Sequence, residues 1–305
     1  MALRWRSTEL KVRLTSPEQG VTGLPGTGSP TVRRRELGTL LRALRNSKGW
    51  TVEQVAEQLL CSPSKVSRLE TGQRGASARD IRDLCDIYDV DDALRQQLTD
   101  LASEGKQQAW WQSRGLPYSA YVGLESEAAS ISDFGLGLVP GLLQTADYAR
   151  AVLRTIRPRL TDDIIEQRLA GRLERQQILV SDRPPQFEAI LDEAVLHRIA
   201  GSRSVMQAQL AQLIEVSDLT NVTVRVLPYR AGLLPVPNNK FIILTFEQAA
   251  VPSVVFVEGL TGDLYLDRAE DVEAYGDAFD ALRHMAATTD QTRGIIASVA
   301  TGIGG

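Results

Sequence analysis

From Thr31 onward the chain sets short apolar stripes at helical spacing between tight turns. Leu37, Leu40, Leu41 and Leu44 recur at intervals of three and four, which predicts a helix over 32–46 that leaves Arg34, Arg35, Arg42 and Arg45 mostly outside and breaks at Gly49. Thr51 followed by Gln54 reads as a capping box, opening a second short helix whose inner side is Val52, Val55, Ala56 and Leu59. Ser62 and Pro63 restart the chain as N-cap and first residue of a third helix that ends near Gly72. Ser77 with Asp80 opens a fourth, carrying Ile81, Leu84, Cys85 and Tyr88 inward, and a fifth from Asp92 carries Leu94, Leu98 and Leu101. No strand-like alternation interrupts this run, so it predicts an all-α unit of five helices over residues 31–111.

Beyond Trp110 and Trp111 the texture changes. Helical patterns near 124–132, 145–156, 162–180, 203–217 and 268–287 are mixed with short β-rich runs at Phe187–Leu191, Thr223–Leu227, Phe241–Phe246, Ser253–Val257 and Asp263–Leu266. That mixture predicts an α+β domain over 112–305. Before the helices, Ser16–Pro30 holds four glycines and three prolines, so residues 1–30 read as a flexible arm.

Charge sharpens this division. Residues 1–76 hold 13 of the 34 Lys and Arg but only 6 of the 38 Asp and Glu, so a basic beginning is joined to an acidic remainder. A polyanion is the economical partner for the basic part, because Lys and Arg gain affinity by releasing counterions from phosphates. No run approaches the ~18 apolar residues of a membrane span, and charges scatter through the opening residues, so a cytoplasmic, nucleoid-associated protein is expected. Cys61 and Cys85 suit reduced, packed positions rather than a disulfide framework or a metal cluster.

The second and third helices carry the chemistry. A helix lying in the major groove must be braced across its partner at a steep angle, and Ala56 is the small residue that lets the pair approach, with Val55, Leu59, Val66 and Leu69 closing the core between them. With Val66 and Leu69 turned inward, Ser64, Lys65, Ser67 and Arg68 project outward, and these side-chain types reach base edges and phosphates. The caps Thr51 and Ser62 belong to the same DNA-facing set, since free N–H groups at a helix start suit a phosphate.

The stretch TVEQVAEQLLCSPSKVSRLETGQRGASARDIRDLCDIY resembles the xenobiotic-response-element (XRE, Cro/C1-like) helix-turn-helix family. The resemblance implies a phosphate contact by Gln54, groove-facing Ser64, Lys65, Ser67 and Arg68, and a further backbone contact by Arg74. One position departs from the family, since the turn carries Leu60 where a glycine in left-handed conformation is usual. The segments VPGLLQTADYARAVL, NVTVRVLP and VFVEGLTGDLYLDRAEDV resemble actinomycete XRE regulators with a C-terminal domain of uncharacterised function. The resemblance implies a small partner protein or an effector for residues 112–305.

Other signals have plainer readings. Arg33, Arg34 and Arg35 are equally compatible with phosphate contact and with a solvated charge run. Arg168, Arg172 and Arg175 line one helix side and, with Glu166 and Glu174 nearby, read as a solvated salt-bridged face. Gly135–Gly141 lacks the spacing and following helix of a nucleotide loop and reads as a tight turn around Pro140 before a helix starting at Thr145. His197 and His284, far apart in sequence, do not suggest a metal site or a triad, and no cofactor is expected. Glu125, Glu127, Asp192, Glu193 and Glu258 are the carboxylates from which an enzyme site could be assembled, but no spacing singles out a reaction.

These readings converge on a non-enzymatic transcription regulator that binds double-stranded operator DNA as a homodimer, because two-fold symmetry doubles the few base pairs one helix reads. Its C-terminal domain would bind the partner or effector; the alternative is a toxin-like or nucleotide-processing catalytic domain, with the helix-turn-helix serving autoregulation.

Overall fold

A computed structural model describes residues 29–107, 119–236, 239–248 and 251–304. Residues 1–28 of the expected arm, and the boundary at Trp110–Trp111, lie outside the described residues. The described chain falls into two compact units, one containing residues 29–127 and 246–252, the other residues 128–245 and 253–304.

In the first unit, helices α1 (Pro30–Ser47), α2 (Val52–Gln58), α3 (Pro63–Glu70), α4 (Ala78–Tyr88) and α5 (Asp92–Glu104) are followed by α6 (Ser119–Glu125). Side-chain caps explain most of the starts: Thr51, Ser62, Ser77 and Asp91 each accept a hydrogen bond from the backbone N–H three residues on. Pro30 opens α1 two residues before the expected start at Val32. The core is the predicted one, with Leu37, Leu41, Val55, Ala56, Val66, Leu69, Ile81, Leu84, Cys85, Tyr88, Leu98 and Leu101 buried together.

The second unit is built on a six-stranded mixed sheet of β1 (Ser130–Gly135), β2 (Gln186–Asp192), β3 (Val222–Leu227), β4 (Phe241–Thr245), β5 (Val254–Val257) and β6 (Leu264–Leu266), in the order β3-β2-β1-β4-β5-β6. Strands β1, β2 and β3 are parallel, and β4, β5 and β6 continue antiparallel from β1. The parallel links run through α7 (Ala146–Ile156) and α8 (Asp162–Gln176), then through α9 (Ala194–His197) and α10 (Arg203–Val216). Phe134 pairs across the sheet with Ile190 and Phe241, and these residues join Ile243, Val255 and Val257 on one face, which α11 (Ala269–Met285) covers with Phe279 and Leu282. Helix α12 (Thr289–Gly304) packs against α10 and β3. The β3 edge is closed by the link between α11 and α12 together with the first turn of α12, because the Ala287 N–H donates to Val226 O and the Val226 N–H donates to the buried Thr292 hydroxyl.

The architecture is therefore the expected helical unit followed by an α+β unit, with two elements read differently. The pattern near 124–132 is not one helix: α6 ends at Glu125 and β1 begins at Ser130. Polar Ser130, Ser132 and Asp133 hide this strand from a hydrophobicity pattern, yet pairing on both sides shelters them, leaving Asp133 only 3% exposed. Helix α12 carries Gly294, Gly302 and several β-branched residues, a poor intrinsic helix former held by tertiary packing around the fully buried Ile296.

Candidate nucleic-acid interface

Helix α3 is clamped from behind. Its last residue, Glu70, is buried and accepts two hydrogen bonds from Arg45 of α1 at 2.7 and 2.9 Å, the forked geometry in which guanidinium and carboxylate bind most strongly. This Glu70 hydrogen bond, followed by its charge, holds the Arg45 pKa above its usual value. A Cβ on Gly38 would sit 2.5 Å from Glu70 O and 2.7 Å from Leu69 O, so α1 crosses α3 at a distance only glycine permits. The sequence reading missed Gly38 because a mid-helix glycine has no apolar signature. Arg45 also departs from its expected outward position, since a buried carboxylate at the end of α3 draws it in.

The turn between α2 and α3 shows why Leu60 can stand in a glycine position. Leu60 has φ of 50°, the left-handed conformation the turn demands, while its side chain is 93% exposed and meets no packing constraint. The left-handed turn is kept at the expense of local backbone strain.

With its inner side fixed, α3 presents Ser64, Ser67 and Arg68 to solvent. Arg68 Nε donates to Ser64 O at 3.2 Å, which lays the guanidinium along the helix and leaves its terminal nitrogens to face outward. The cap residues Thr51 and Ser62 are exposed and each hydroxyl oxygen accepts from the backbone; the Thr51 hydroxyl in turn donates to the Glu53 carboxylate, while that of Ser62 keeps its proton to donate outward. Gln54 Oε1 accepts from the Thr51 N–H at 2.8 Å, so the capping box spends the acceptor end of this amide and turns its NH2 donor toward solvent. A donor is what a phosphate requires. Arg74 is exposed beyond Gly72, whose φ of 68° swings the chain back over Arg35.

Lys65 is placed differently from its neighbours. Its ammonium lies 2.5 Å from Asp80 Oδ1 on α4, and its side chain is only 25% exposed. Burial alone would raise the Asp80 pKa, but the hydrogen bonds from Lys65 and from the Ser77 backbone and hydroxyl outweigh it and hold the carboxyl below its ordinary range. Arg33 and Arg34 are spent within the unit: Arg33 pairs with Glu36 and Glu104, and Arg34 donates to Gly105 O and Thr31 Oγ1.

In the second unit, the 135–145 segment is a braced turn. Pro140 leads into a 3-10 turn over Gly141–Leu143, and Thr145 caps α7. Gln176 donates to Gly141 O and Gln144 O, Gln209 donates to Leu143 O and accepts from Thr145 N–H, and Gln144 donates to Val139 O. Arg172 Nη1 donates to Gln144 Oε1 at 2.5 Å, so one end of this guanidinium braces the turn, while Glu166 pairs with Arg150. Glu125 and Glu127 belong to the first unit, Asp192 accepts from Ala194 N–H, Glu193 from Tyr229 N–H, and Glu258 pairs with Lys240. His197 lies 3.6 Å from Glu193 and stacks on Tyr229, while His284 Nδ1 bonds Asp280 O. Among the described residues no group of three potential metal ligands occurs, and no helix is long and apolar enough to cross a membrane.

Residues 36–98 match a helix-turn-helix domain, and residues 118–298, more than half of the chain, match a domain of unknown function (DUF5753). The chain belongs to the DUF5753 family. The braced turn, the sheet and most of α12 thus fall within the DUF5753 match, while α2, α3 and the outward residues of α3 fall within the helix-turn-helix match. No curated protein and no solved structure shows a significant match to the chain.

Proposed function

We propose that this protein is a sequence-specific DNA-binding transcription regulator in which α3 enters the major groove. The observation that carries the reading is the division of α3 itself: Val66, Leu69 and Glu70 are buried, while Ser64, Ser67 and Arg68 stand in solvent with donors available. Arg68 reads a base edge, Ser64 and Ser67 assist it, and Thr51, Gln54, Ser62 and Arg74 set register on the phosphates. The protein acts as a homodimer on a two-fold operator, and its acidic DUF5753 unit binds a small partner protein or a small effector and has no catalytic role. Engagement of the candidate carboxylates with local backbone and cationic partners supports recognition over catalysis.

The test is selection of genomic DNA fragments by the purified protein beside two variants. Arg68→Ala is expected to lose about 1–3 kcal/mol on the selected motif and to relax specificity at one base position. Gln54→Glu keeps the cap acceptor but places a carboxylate where the donor was, so it should weaken selected and random DNA by the same factor. Equal losses on both DNAs for Arg68→Ala would remove its base-reading role. Sedimentation of the protein on the selected DNA as a strict monomer would remove the dimer.

A further inference from the structure

Between α3 and α4 lies a groove of about 420 Å³ whose lining includes Leu60, Lys65, Arg74, Arg79, Asp80 and Lys106. Four of these side chains are cationic, and the groove borders the first turn of the helix that reads DNA. The carboxylate of Asp80 does two jobs there. Its Oδ2 accepts from the Ser77 N–H at 2.9 Å and closes the cap of α4, while its Oδ1 holds the Lys65 ammonium at 2.5 Å. The residue is 8% exposed, so this anion is fixed by the fold rather than by a mobile side chain. It tethers one residue of α3 to the first turn of α4 and occupies the charge of a lysine that faces the same groove as Arg74.

We infer that Asp80 is a positioning residue for DNA reading: by holding Lys65 in the groove it fixes the orientation of α3 against α4 and keeps that lysine from adding sequence-independent affinity for phosphates. The inference rests on the DNA-reading assignment of α3. Withholding a cation from the phosphates lowers affinity for random and specific DNA by the same factor, so discrimination is left to Arg68 and the serines while overall affinity and its salt dependence are held down. Lys65 then works as a structural strut, unlike its neighbours on the same turn. Arg79, 81% exposed, pairs with Asp83 at the rim.

The experiment measures binding of the full-length protein to its selected motif and to random duplex across a salt series. Asp80→Asn keeps an acceptor for the Ser77 N–H but removes the charge that holds Lys65. The freed ammonium should add one phosphate contact, steepening the dependence of log K on log salt by about 0.9 and raising affinity by the same factor on both DNAs. Lys65→Met in the otherwise intact protein should leave the salt slope unchanged, and combined with Asp80→Asn it should return the slope to the starting value. Because Lys65→Met leaves the cap of α4 intact, it tests the strut even where Asp80→Asn loosens the fold. A slope that drops by about 0.9 with Lys65→Met alone would show the lysine already on a phosphate and overturn the inference while sparing the DNA-reading assignment. An unchanged slope in Asp80→Asn, with its melting curve intact, would overturn it equally. Absence of any selected motif for the unaltered protein would overturn both.

Discussion

On α3, Ser64, Ser67 and Arg68 stand in solvent on a helix whose opposite side is immobilised by Val66, Leu69 and the Arg45–Glu70 fork. In the 139–145 turn of the DUF5753 unit, Gln144, Gln176 and Gln209 are 4%, 4% and 0% exposed, and their amides are spent on backbone groups and on Arg172. Both regions are polar and both are rigid, but only the first keeps donors facing outward. Polar groups that saturate one another specify a shape, whereas polar groups held rigidly in solvent specify a partner. The conspicuous VPGLLQT segment is therefore explained by internal architecture.

The largest effect should come from the clamp behind α3. Glu70→Ala leaves the Arg45 guanidinium, 13% exposed, without its buried counter-charge, and removal of one member of such a pair costs about 3–5 kcal/mol. Urea unfolding followed by circular dichroism should show this loss in the transition of the helical unit. DNA affinity should fall only in proportion to the population unfolded. A loss under 1 kcal/mol would mean that Trp50 O, which Arg45 also contacts at 2.8 Å, satisfies the cation by itself.

A smaller loss is expected from the braced turn. Gln176→Leu deprives the Gly141 and Gln144 carbonyls of donors at 2.9 and 2.8 Å, and unsatisfied buried acceptors cost about 1–3 kcal/mol. The transition of the DUF5753 unit should move while DNA selection stays the same. Arg68→Ala is the mirror image, with stability unchanged within about 0.5 kcal/mol and selection impaired. If Gln176→Leu instead altered DNA selection with the fold intact, the contrast between shape-giving and partner-reading polar groups would collapse.

Much of this contrast is legible in the sequence, for identifiable reasons. Helices of the first unit declare themselves through local chemistry: Thr51 with Gln54, Ser62 with Pro63, and Ser77 with Asp80 mark starts that the backbone then adopts. The outward residues of α3 follow from Val66 and Leu69 once the helix is placed. What local chemistry does not carry is long-range satisfaction. Lys65 looks like its neighbours until Asp80, fifteen residues on, claims it. Arg172 looks solvated until the fold brings Gln144 beneath it, and β1 looks helical until β2 and β4 shelter its serines and aspartate. Helix α12 had a usable signal, because Thr288 and Gln291 form a capping box, with the Gln291 N–H donating to Thr288 Oγ1 and the Thr288 N–H to Gln291 Oε1. That start was masked by the glycines and β-branched residues that follow.

The smallest effect concerns the turn between α2 and α3. Leu60 holds a left-handed conformation that costs a side-chain-bearing residue about 1–2 kcal/mol, and at 93% exposure it recovers nothing by packing. Glycine removes that strain but gives the unfolded chain more freedom, at about 0.5–1 kcal/mol. Leu60→Gly should therefore stabilise the helical unit by about 0.5 kcal/mol, the margin between these two terms. Leu60→Ala keeps the strain and loses no contact, so it should leave stability near the starting value and separate backbone from side chain. Thermal melts of the three proteins decide the point: equal melting temperatures for the glycine and alanine variants would mean that the strain only offsets the entropy of glycine, and a glycine variant melting below the alanine variant by the full entropy term, about 0.5–1 kcal/mol, would mean that the turn stores no strain. The same proteins on selected DNA sharpen the comparison further. If Leu60→Gly is more stable yet binds more weakly, the exposed leucine contacts DNA, and an apolar side chain joins the serines and Arg68 on the reading surface.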